Sequence, residues 1–219
     1  MLGTYSYEDE WLLENETLSA FIDHVNAVRR SAGSPEEAVE AIRPHFAHLL
    51  ADPDWLPARF QEPAPTESGM GGKIGMWLLY RAGDGGLAFS VLVLPPGAQT
   101  PVHDHLAWGL VGLYRGEQDE EIFAPVVETE EEHQDHAAHD YTKLELRQRQ
   151  PLKPGDFYAL TPDNDIHRVR TTSAVTSVSL HLLGNDNGCI WRHRFDPDAA
   201  TVAPFRSGWL NTECRTYED

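Results

Sequence analysis

The sequence is poor in basic residues. Among 219 residues, Lys and Arg number 17 against 35 Asp and Glu, so the formal net charge is −18 at pH 7 with His neutral. An acidic surplus of this size repels phosphate backbones and anionic headgroups, which argues against nucleic acid or an anionic membrane as a partner. Hydrophobic residues still make up 41% of the chain, which is enough for a packed core and excludes wholesale disorder.

Cysteine and long apolar runs are also scarce. Cys189 and Cys214 are too few for a disulfide scaffold or a four-cysteine zinc site, and we expect them to be ordinary buried or tail residues. The apolar run Leu87–Pro96 is interrupted by Ser90, so no segment is long enough to span a bilayer. The first ten residues lack the basic and apolar stretches of a signal peptide. These absences predict a reducing, cytoplasmic location.

The first third of the chain has helical periodicity. Between residues 17 and 60, apolar residues recur every three or four positions. Ser34 and Pro35, with Glu37 three residues after the serine, are typical of a helix start. Residues 61–72, which are rich in Pro, Gly and Glu, are predicted to form a loop. We therefore expect residues 1–72 to form a helical extension packed on the domain of residues 73–219.

The chain changes character from Ile74 onward. Short runs rich in Val, Leu, Phe and Tyr are separated by Gly, Pro, Asp and Asn. The predicted strands cover residues 75–81, 87–94, 108–115, 144–147, 156–159, 167–170 and 175–183. Many short strands with frequent turn signals predict an antiparallel sandwich or barrel.

An acidic segment interrupts the predicted strands near residue 130. It is followed by His133, His136 and His139, which could be taken for a metal site. Side chains three residues apart converge only on a helix, and acidic residues flank these histidines. We therefore interpret the segment as a solvated connection between strands.

Histidine is the residue in excess, with 11 copies. His103 and His105 are two residues apart, and side chains alternate on a strand, so the pair would share one face and could bind one metal. His167 follows the turn residues Pro162 and Asn164 and could add a third imidazole from another strand. Such a set leaves coordination positions open for substrate and oxygen. For the His-x-His pair alone, a surface histidine pair is the alternative interpretation.

The spacing around these histidines resembles the cupin superfamily. Residues 97–116 match the first cupin motif, which is Gly, five residues, His-x-His, three residues, Glu, six residues and Gly, except that Gly109 stands in place of the glutamate. Residues 155–167 are similar to the second motif, with one extra residue before Pro162. The resemblance implies an all-β core with the cupin double-stranded β-helix barrel.

The thiol dioxygenases, namely cysteine dioxygenase and its bacterial 3-mercaptopropionate relatives, also lack this glutamate. The sequence around Gly109 resembles theirs. The similarity lies in residues 101–116, 179–184, 192–193 and 205–211. It implies that His103, His105 and His167 bind Fe(II), and that a small thiol and O2 are the substrates. Three neutral imidazoles leave the ferrous centre cationic, which favours a thiolate.

The same resemblance implies residues around the metal. Ser179 and His181 match the first two members of a Ser-x-His-x-Tyr relay, and Leu183 takes the place of the tyrosine. Met76 occupies the usual carboxylate-binding position and cannot bind a carboxylate. Arg192 matches an arginine of the mercaptopropionate relatives, and the resemblance makes it the candidate for substrate binding. A buried structural histidine remains the alternative for His181, and a surface salt bridge remains the alternative for Arg192.

The resulting expectation is a non-haem iron dioxygenase that oxidises the sulfur of cysteine or a mercapto acid, as a monomer or homodimer. Three alternatives stay open: a cupin that rearranges cysteine into a sulfonamide, a cupin oxygenase acting on carbon, and a non-catalytic sensor or storage cupin. The acidic surplus, concentrated in residues 117–140 and the chain ends, is expected to lie outside the pocket. Three imidazoles also suit nickel, copper, manganese or zinc.

Overall fold

The computed structural model describes residues 7–126 and 143–216. Helix α1 (Glu16–Ser31) begins after Asn15, whose side chain accepts a hydrogen bond from the Leu18 amide. Helix α2 (Pro35–Ala51) begins after Ser34, whose hydroxyl accepts from the Glu37 amide at 3.3 Å. The predicted helix start at Ser34 is confirmed. The cluster His133, His136 and His139 lies outside the described residues.

None of the described helices is both long enough and apolar enough to cross a membrane.

Twelve strands occur in the described residues. They are β1 (Glu10–Trp11), β2 (Gly75–Arg81), β3 (Ala88–Leu94), β4 (Val102–His103), β5 (Gly109–Arg115), β6 (Gln118–Pro125), β7 (Leu144–Leu152), β8 (Phe157–Leu160), β9 (His167–Thr171), β10 (Ser177–Leu183), β11 (Arg192–Asp196) and β12 (Thr201–Phe205). All seven predicted runs fall on strands. The prediction missed the two-residue strands β1 and β4, and also β6, β11 and β12. In β6 and β11, charged residues obscure the pattern of alternation.

The strands form two six-stranded antiparallel sheets. One sheet has the order β1-β2-β3-β10-β5-β8, and the other has the order β12-β11-β4-β9-β6-β7. From β3 to β10 the chain passes between the sheets in the order of an eight-stranded jelly roll, with β3, β10, β5 and β8 facing β4, β9, β6 and β7. This arrangement confirms the all-β, double-stranded β-helix fold.

The two helices cover the outer face of the first sheet. In β10, Val178, Leu180 and Leu182 belong to the core shared with the helices, whereas alternation turns Ser179 and His181 toward the barrel interior. All seven residues of β10 are buried, because one face meets helices and the other meets the opposite sheet. The helical extension is therefore continuous with the barrel core, and its division from the barrel at residue 72 stays a prediction.

The end of the chain runs along β2. Asn211 bonds to both backbone groups of Leu78, accepting from its N–H at 3.0 Å and donating to its carbonyl at 2.8 Å. Cys189 and Cys214 are joined in a disulfide with their Cα atoms 5.1 Å apart. The expectation that they are ordinary buried or tail residues is therefore wrong. The bond fastens the C-terminal segment to the loop before β11.

Candidate metal centre

Three histidines converge inside the barrel. His103 ends β4, His167 begins β9, and the two residues pair directly across these antiparallel strands. Their ring centroids are 4.9 Å apart. The ring centroid of His105 lies 4.9 Å from that of His103 and 4.7 Å from that of His167. The ligand nitrogens all lie within 4.8 Å of one another, so the cluster could hold a metal ion.

His105 reaches this cluster from a loop. Strand β4 ends at His103, so strand alternation, which predicted the shared face of the pair, is not the cause of their proximity. The backbone turns at Leu106, which has a φ of 54°. Asp165 accepts hydrogen bonds from the amides of His105 at 2.8 Å and Leu106 at 3.0 Å, and Asn187 donates to the His105 carbonyl at 3.0 Å. These bonds hold a conformation that leucine seldom adopts.

Each histidine ring has an acceptor behind it at Nδ1. For His103 it is the Pro101 carbonyl at 2.9 Å, and for His105 it is the Asp165 carboxylate at 3.1 Å. For His167, Nδ1 lies 3.2 Å from the Tyr158 hydroxyl and 2.9 Å from the Glu120 carboxylate, whose two oxygens have no hydrogen-bond partner among the described residues. A proton held at Nδ1 leaves Nε2 with a free electron pair for a metal.

Burial keeps the rings of His103 and His105 neutral. It lowers the pKa of both well below the usual range, and the positive charge of nearby Arg192 lowers both further. Metal ligation requires neutral imidazole, so the pKa shift and the ligand role agree. Within the described residues, Nε2 of His167 is buried without a hydrogen-bond partner, and an unpaired buried nitrogen of this kind fits a metal ligand.

Glu120 corrects one expectation. The acidic residues of 117–140 were expected outside the pocket, but Glu120 is only 1% exposed and faces His167. Tyr158 adjoins the same ring, with its hydroxyl 3.2 Å from Nδ1, and burial raises the pKa of that hydroxyl well above its usual value. Sequence reasoning missed Glu120, Tyr158 and Asp165. No signal in the sequence distinguishes Glu120 from its neighbour Glu121, which is equally buried.

Gly109 explains why no carboxylate ligand stands at the usual cupin position. A Cβ atom built there would lie 2.2 Å from the Leu182 carbonyl oxygen and 2.8 Å from Cδ2 of Leu183. Gly109 pairs with Leu183 across β5 and β10, so the leucine occupies the space beside it. A larger side chain at 109 has no room, and the carboxylates near the cluster lie behind the histidines instead.

Ser179 and His181 are in contact, as the spacing predicted. The Ser179 hydroxyl lies 3.0 Å from Nε2 of His181, and both residues are buried. Burial, together with the positive charge of nearby Arg192, lowers the pKa of His181 to about 3, so its ring is neutral near pH 7. Leu183 adds an aliphatic side chain where the relay would need a hydroxyl. The catalytic role of the pair stays a prediction.

Arg192 lies inside the protein with 2% of its surface exposed, which disfavours the surface salt bridge left open as an alternative. Its guanidinium donates to the Asp104 carbonyl at 2.6 Å and the Asn187 carbonyl at 3.3 Å, and lies over the Phe205 ring. Burial lowers its pKa to about 10, against the opposing charges of Asp104 and Asp165. Substrate binding by Arg192 stays a prediction. Met76 lies in an apolar cluster, as its chemistry requires.

Known proteins resemble this chain at the level of overall shape. No protein-family profile matches the sequence. Similar solved structures include oxalate oxidase (15% identity, 48% of this chain, 44% of that chain, TM-score 0.35). A cupin 2 domain protein from Halorhodospira halophila is 18% identical over 52% of this chain and 61% of that chain, with a TM-score of 0.35. Peruvianin-I, a cysteine peptidase from Thevetia peruviana latex, is 16% identical over 73% of this chain and 80% of that chain, with a TM-score of 0.41. The aligned region spans less than two thirds of the first two, and the fold assignment here depends on strand order.

Proposed function

We propose that this protein is a non-haem iron oxygenase that oxidises the sulfur of a small thiol. The observation that carries the proposal is the convergence of His103, His105 and His167 with an unpaired nitrogen at the centre. The resemblance of residues 101–116 to thiol dioxygenases, and the absence of a carboxylate ligand at Gly109, support the choice of a thiol substrate.

The three histidines would hold the ion through Nε2. A ferrous ion, when bound, would supply the Lewis acidity and redox chemistry needed to add both atoms of O2 to sulfur. The chain supplies orientation: the acceptors at Nδ1 fix each ring, and the buried site excludes bulk water.

Ser179 and His181 would orient a hydrogen bond in the barrel interior. With a pKa of about 3, His181 is a weak proton acceptor near pH 7, so the pair suits positioning better than general-base catalysis. Arg192 would contribute positive charge beside the cluster, since its influence lowers the pKa of His103 and His105.

The expected partners are the thiol and O2, with the chain acting as a monomer or homodimer. A cytoplasmic location belongs to the same proposal, and the Cys189–Cys214 disulfide gives it a test, because a reducing compartment keeps most cysteine pairs as thiols. Thiol titration of protein extracted from its native cell under acid quench distinguishes the two states: free thiols support the cytoplasm, and an intact disulfide contradicts it.

Metal analysis and oxygen uptake test the function. Protein purified without added metal is expected to contain iron and to consume O2 with at least one thiol of a panel that includes cysteine and 3-mercaptopropionate. Zinc alone, with no uptake after iron loading, would refute the oxygenase. Uptake that no thiol stimulates would refute the thiol assignment. The mass of the product from cysteine separates a sulfinate from a rearranged sulfonamide.

A further inference from the structure

A groove of about 620 Å³ opens at the end of the barrel that carries the histidine loops. It is bounded by the first turns of α2, by residues 104–108 and by residues 159–166. We call it the mouth groove. Its volume is in the range of small-molecule sites. His105 lies within one of the segments that form its walls, and His167 directly follows another. Neither histidine lines the groove, whereas Asp104 and Asp165 do.

The surface of the mouth groove is mainly apolar. Val39 comes from α2, Leu106 and Trp108 come from the loop after β4, and Ile166 precedes His167. The Trp108 indole lies directly on the backbone of Gly184, where a Cβ would be 2.3 Å from Nε1. Only glycine permits this contact, so the indole is held as a fixed flat surface. Such a wall suits an aromatic or alkyl group.

The charged side chains of the mouth groove are all acidic. Glu36 and Glu40 lie one turn apart on α2, and Asp104 and Asp165 lie on the opposite walls. Among the described residues that line it, there is no lysine or arginine. Arg43 approaches Glu40 from outside the lining, with 3.6 Å between the closest atoms. Like charges four residues apart on a helix repel each other, so a cation between Glu36 and Glu40 would be favourable.

The two aspartates already have partners. Asp104 accepts from the His193 amide at 2.8 Å, and Asp165 accepts from two loop amides. Glu36 and Glu40 also have contacts, with the Ser34 hydroxyl and with Arg43, but both are exposed and on the surface of the helix, so their carboxylates are the groups that a ligand's charge can reach. An occupant of the groove must combine an apolar body with one positive charge.

We propose that the mouth groove binds a small hydrophobic primary amine. Its ring or chain lies against Trp108 and Ile166, and its ammonium group lies toward Glu36 and Glu40. The proposal goes beyond the oxygenase function and does not depend on it, because none of these four residues is a proposed metal ligand.

Calorimetric titration of the full-length protein with three isosteric probes tests the site. 2-Phenylethylamine is expected to bind about fivefold more tightly than 2-phenylethanol, the factor given by one favourable surface ion pair. Phenylacetate is expected to bind more weakly than either. The double variant Glu36→Gln/Glu40→Gln should remove the preference for the amine, while Glu16→Gln/Asp23→Asn, with the same charge change on α1, should keep it.

A second variant locates the site. Ala107→Phe would fill the mouth groove and should abolish binding of both amine and alcohol, whereas Val175→Phe, at an exposed position elsewhere, should not. Equal affinity for amine and alcohol in the unmodified protein would overturn the proposal. Unchanged preference in the Glu36/Glu40 double variant, or full binding by Ala107→Phe, would overturn it as well. Oxygen uptake is measured separately, so failure here leaves the oxygenase proposal standing.

Discussion

The histidines that could bind a metal depend on residues far away in the sequence for their orientation. Glu120 lies 2.9 Å from Nδ1 of His167, and Asp165 lies 3.1 Å from Nδ1 of His105. Carboxylates in this position fix the ring tautomer and raise the basicity of the ligand nitrogen. With Gly109 excluding a carboxylate ligand, these two carboxylates contact the ligand rings from the side of Nδ1.

Replacing Glu120 should weaken metal binding. Glu120→Leu removes the carboxylate that contacts Nδ1 of His167, so the dissociation constant for Fe(II) or Co(II) should rise about 10- to 100-fold. Glu120→Gln keeps an acceptor oxygen and should have a smaller effect. Chelator competition measures the constant.

The neighbouring Glu121 provides the control for that experiment. Its carboxylate bonds to Arg149 and Arg168 and not to a histidine of the cluster. Glu121→Gln should therefore leave metal affinity unchanged. If Glu121→Gln and Glu120→Leu weakened binding equally, a general loss of charge or stability, and not the contact with His167, would be the cause.

The strands bring the pocket residues together through their register. In β10, alternation separates the residues facing the helices from Ser179 and His181, and this could be predicted from the sequence. The pairing of Gly109 with Leu183 could not, because it depends on which strand becomes the neighbour of β10. That pairing lets the Leu183 side chain occupy the space beside residue 109, so residue 109 has no room for a side chain of its own.

Gly109→Ala should therefore destabilise the barrel. The added methyl would lie 2.2 Å from a carbonyl oxygen of the adjacent strand, which is backbone and cannot rotate away. Overpacking of this kind costs about 1–3 kcal/mol in the free energy of unfolding. Urea denaturation measures it. Gly33→Ala is the control, because there the nearest atom is the flexible end of Glu37 at 3.1 Å. Equal stability of Gly109→Ala and the unmodified protein would contradict the clash.

Within the described residues, segments near both ends of the sequence contact β2. Strand β1 pairs with β2, and the C-terminal segment bonds to β2 and is fastened by Cys189 and Cys214. Buried Arg81 joins these parts through ion pairs to Glu10 and Asp186.

Loss of the disulfide should lower global stability. The bond closes a loop with a sequence separation of 25, and a crosslink of that length contributes about 3 kcal/mol by restricting the unfolded chain. The double variant Cys189→Ser/Cys214→Ser should unfold at correspondingly lower urea concentration under oxidising conditions. Reductant should shift the unmodified protein to the same midpoint and leave the variant unchanged. A midpoint insensitive to reductant would contradict this role.

Acid should destabilise the metal-free protein through its buried histidines. The pKa of His181 is about 3 in the folded chain and about 6.5 when unfolded, so below pH 6.5 the unfolded state binds more protons. Its contribution to the free energy of unfolding is therefore present above pH 6.5 and falls by up to about 1.4 kcal/mol per pH unit toward pH 3. Urea titrations between pH 6.5 and 5 give the free energy of unfolding at each pH. Its decrease per pH unit should be smaller by up to that amount in His181→Gln than in the unmodified protein. An unchanged slope would contradict the buried, neutral state of His181.

The linear pattern of residues was sufficient for the helix start at Ser34, for the seven predicted strands, and for the choice of three histidines. These features are local, because capping, alternation and turn residues act within a few positions along the chain.

The tertiary structure decided which distant groups meet. It brought Glu120 and Tyr158 to His167, filled the space beside Gly109 with Leu183, joined the two cysteines and enclosed Arg192. It also placed α2 over the barrel mouth, which created the groove. In each of these contacts the two partners lie in different strands or loops, so strand order and packing decide whether they meet. The periodicity of residues within one segment cannot predict such contacts.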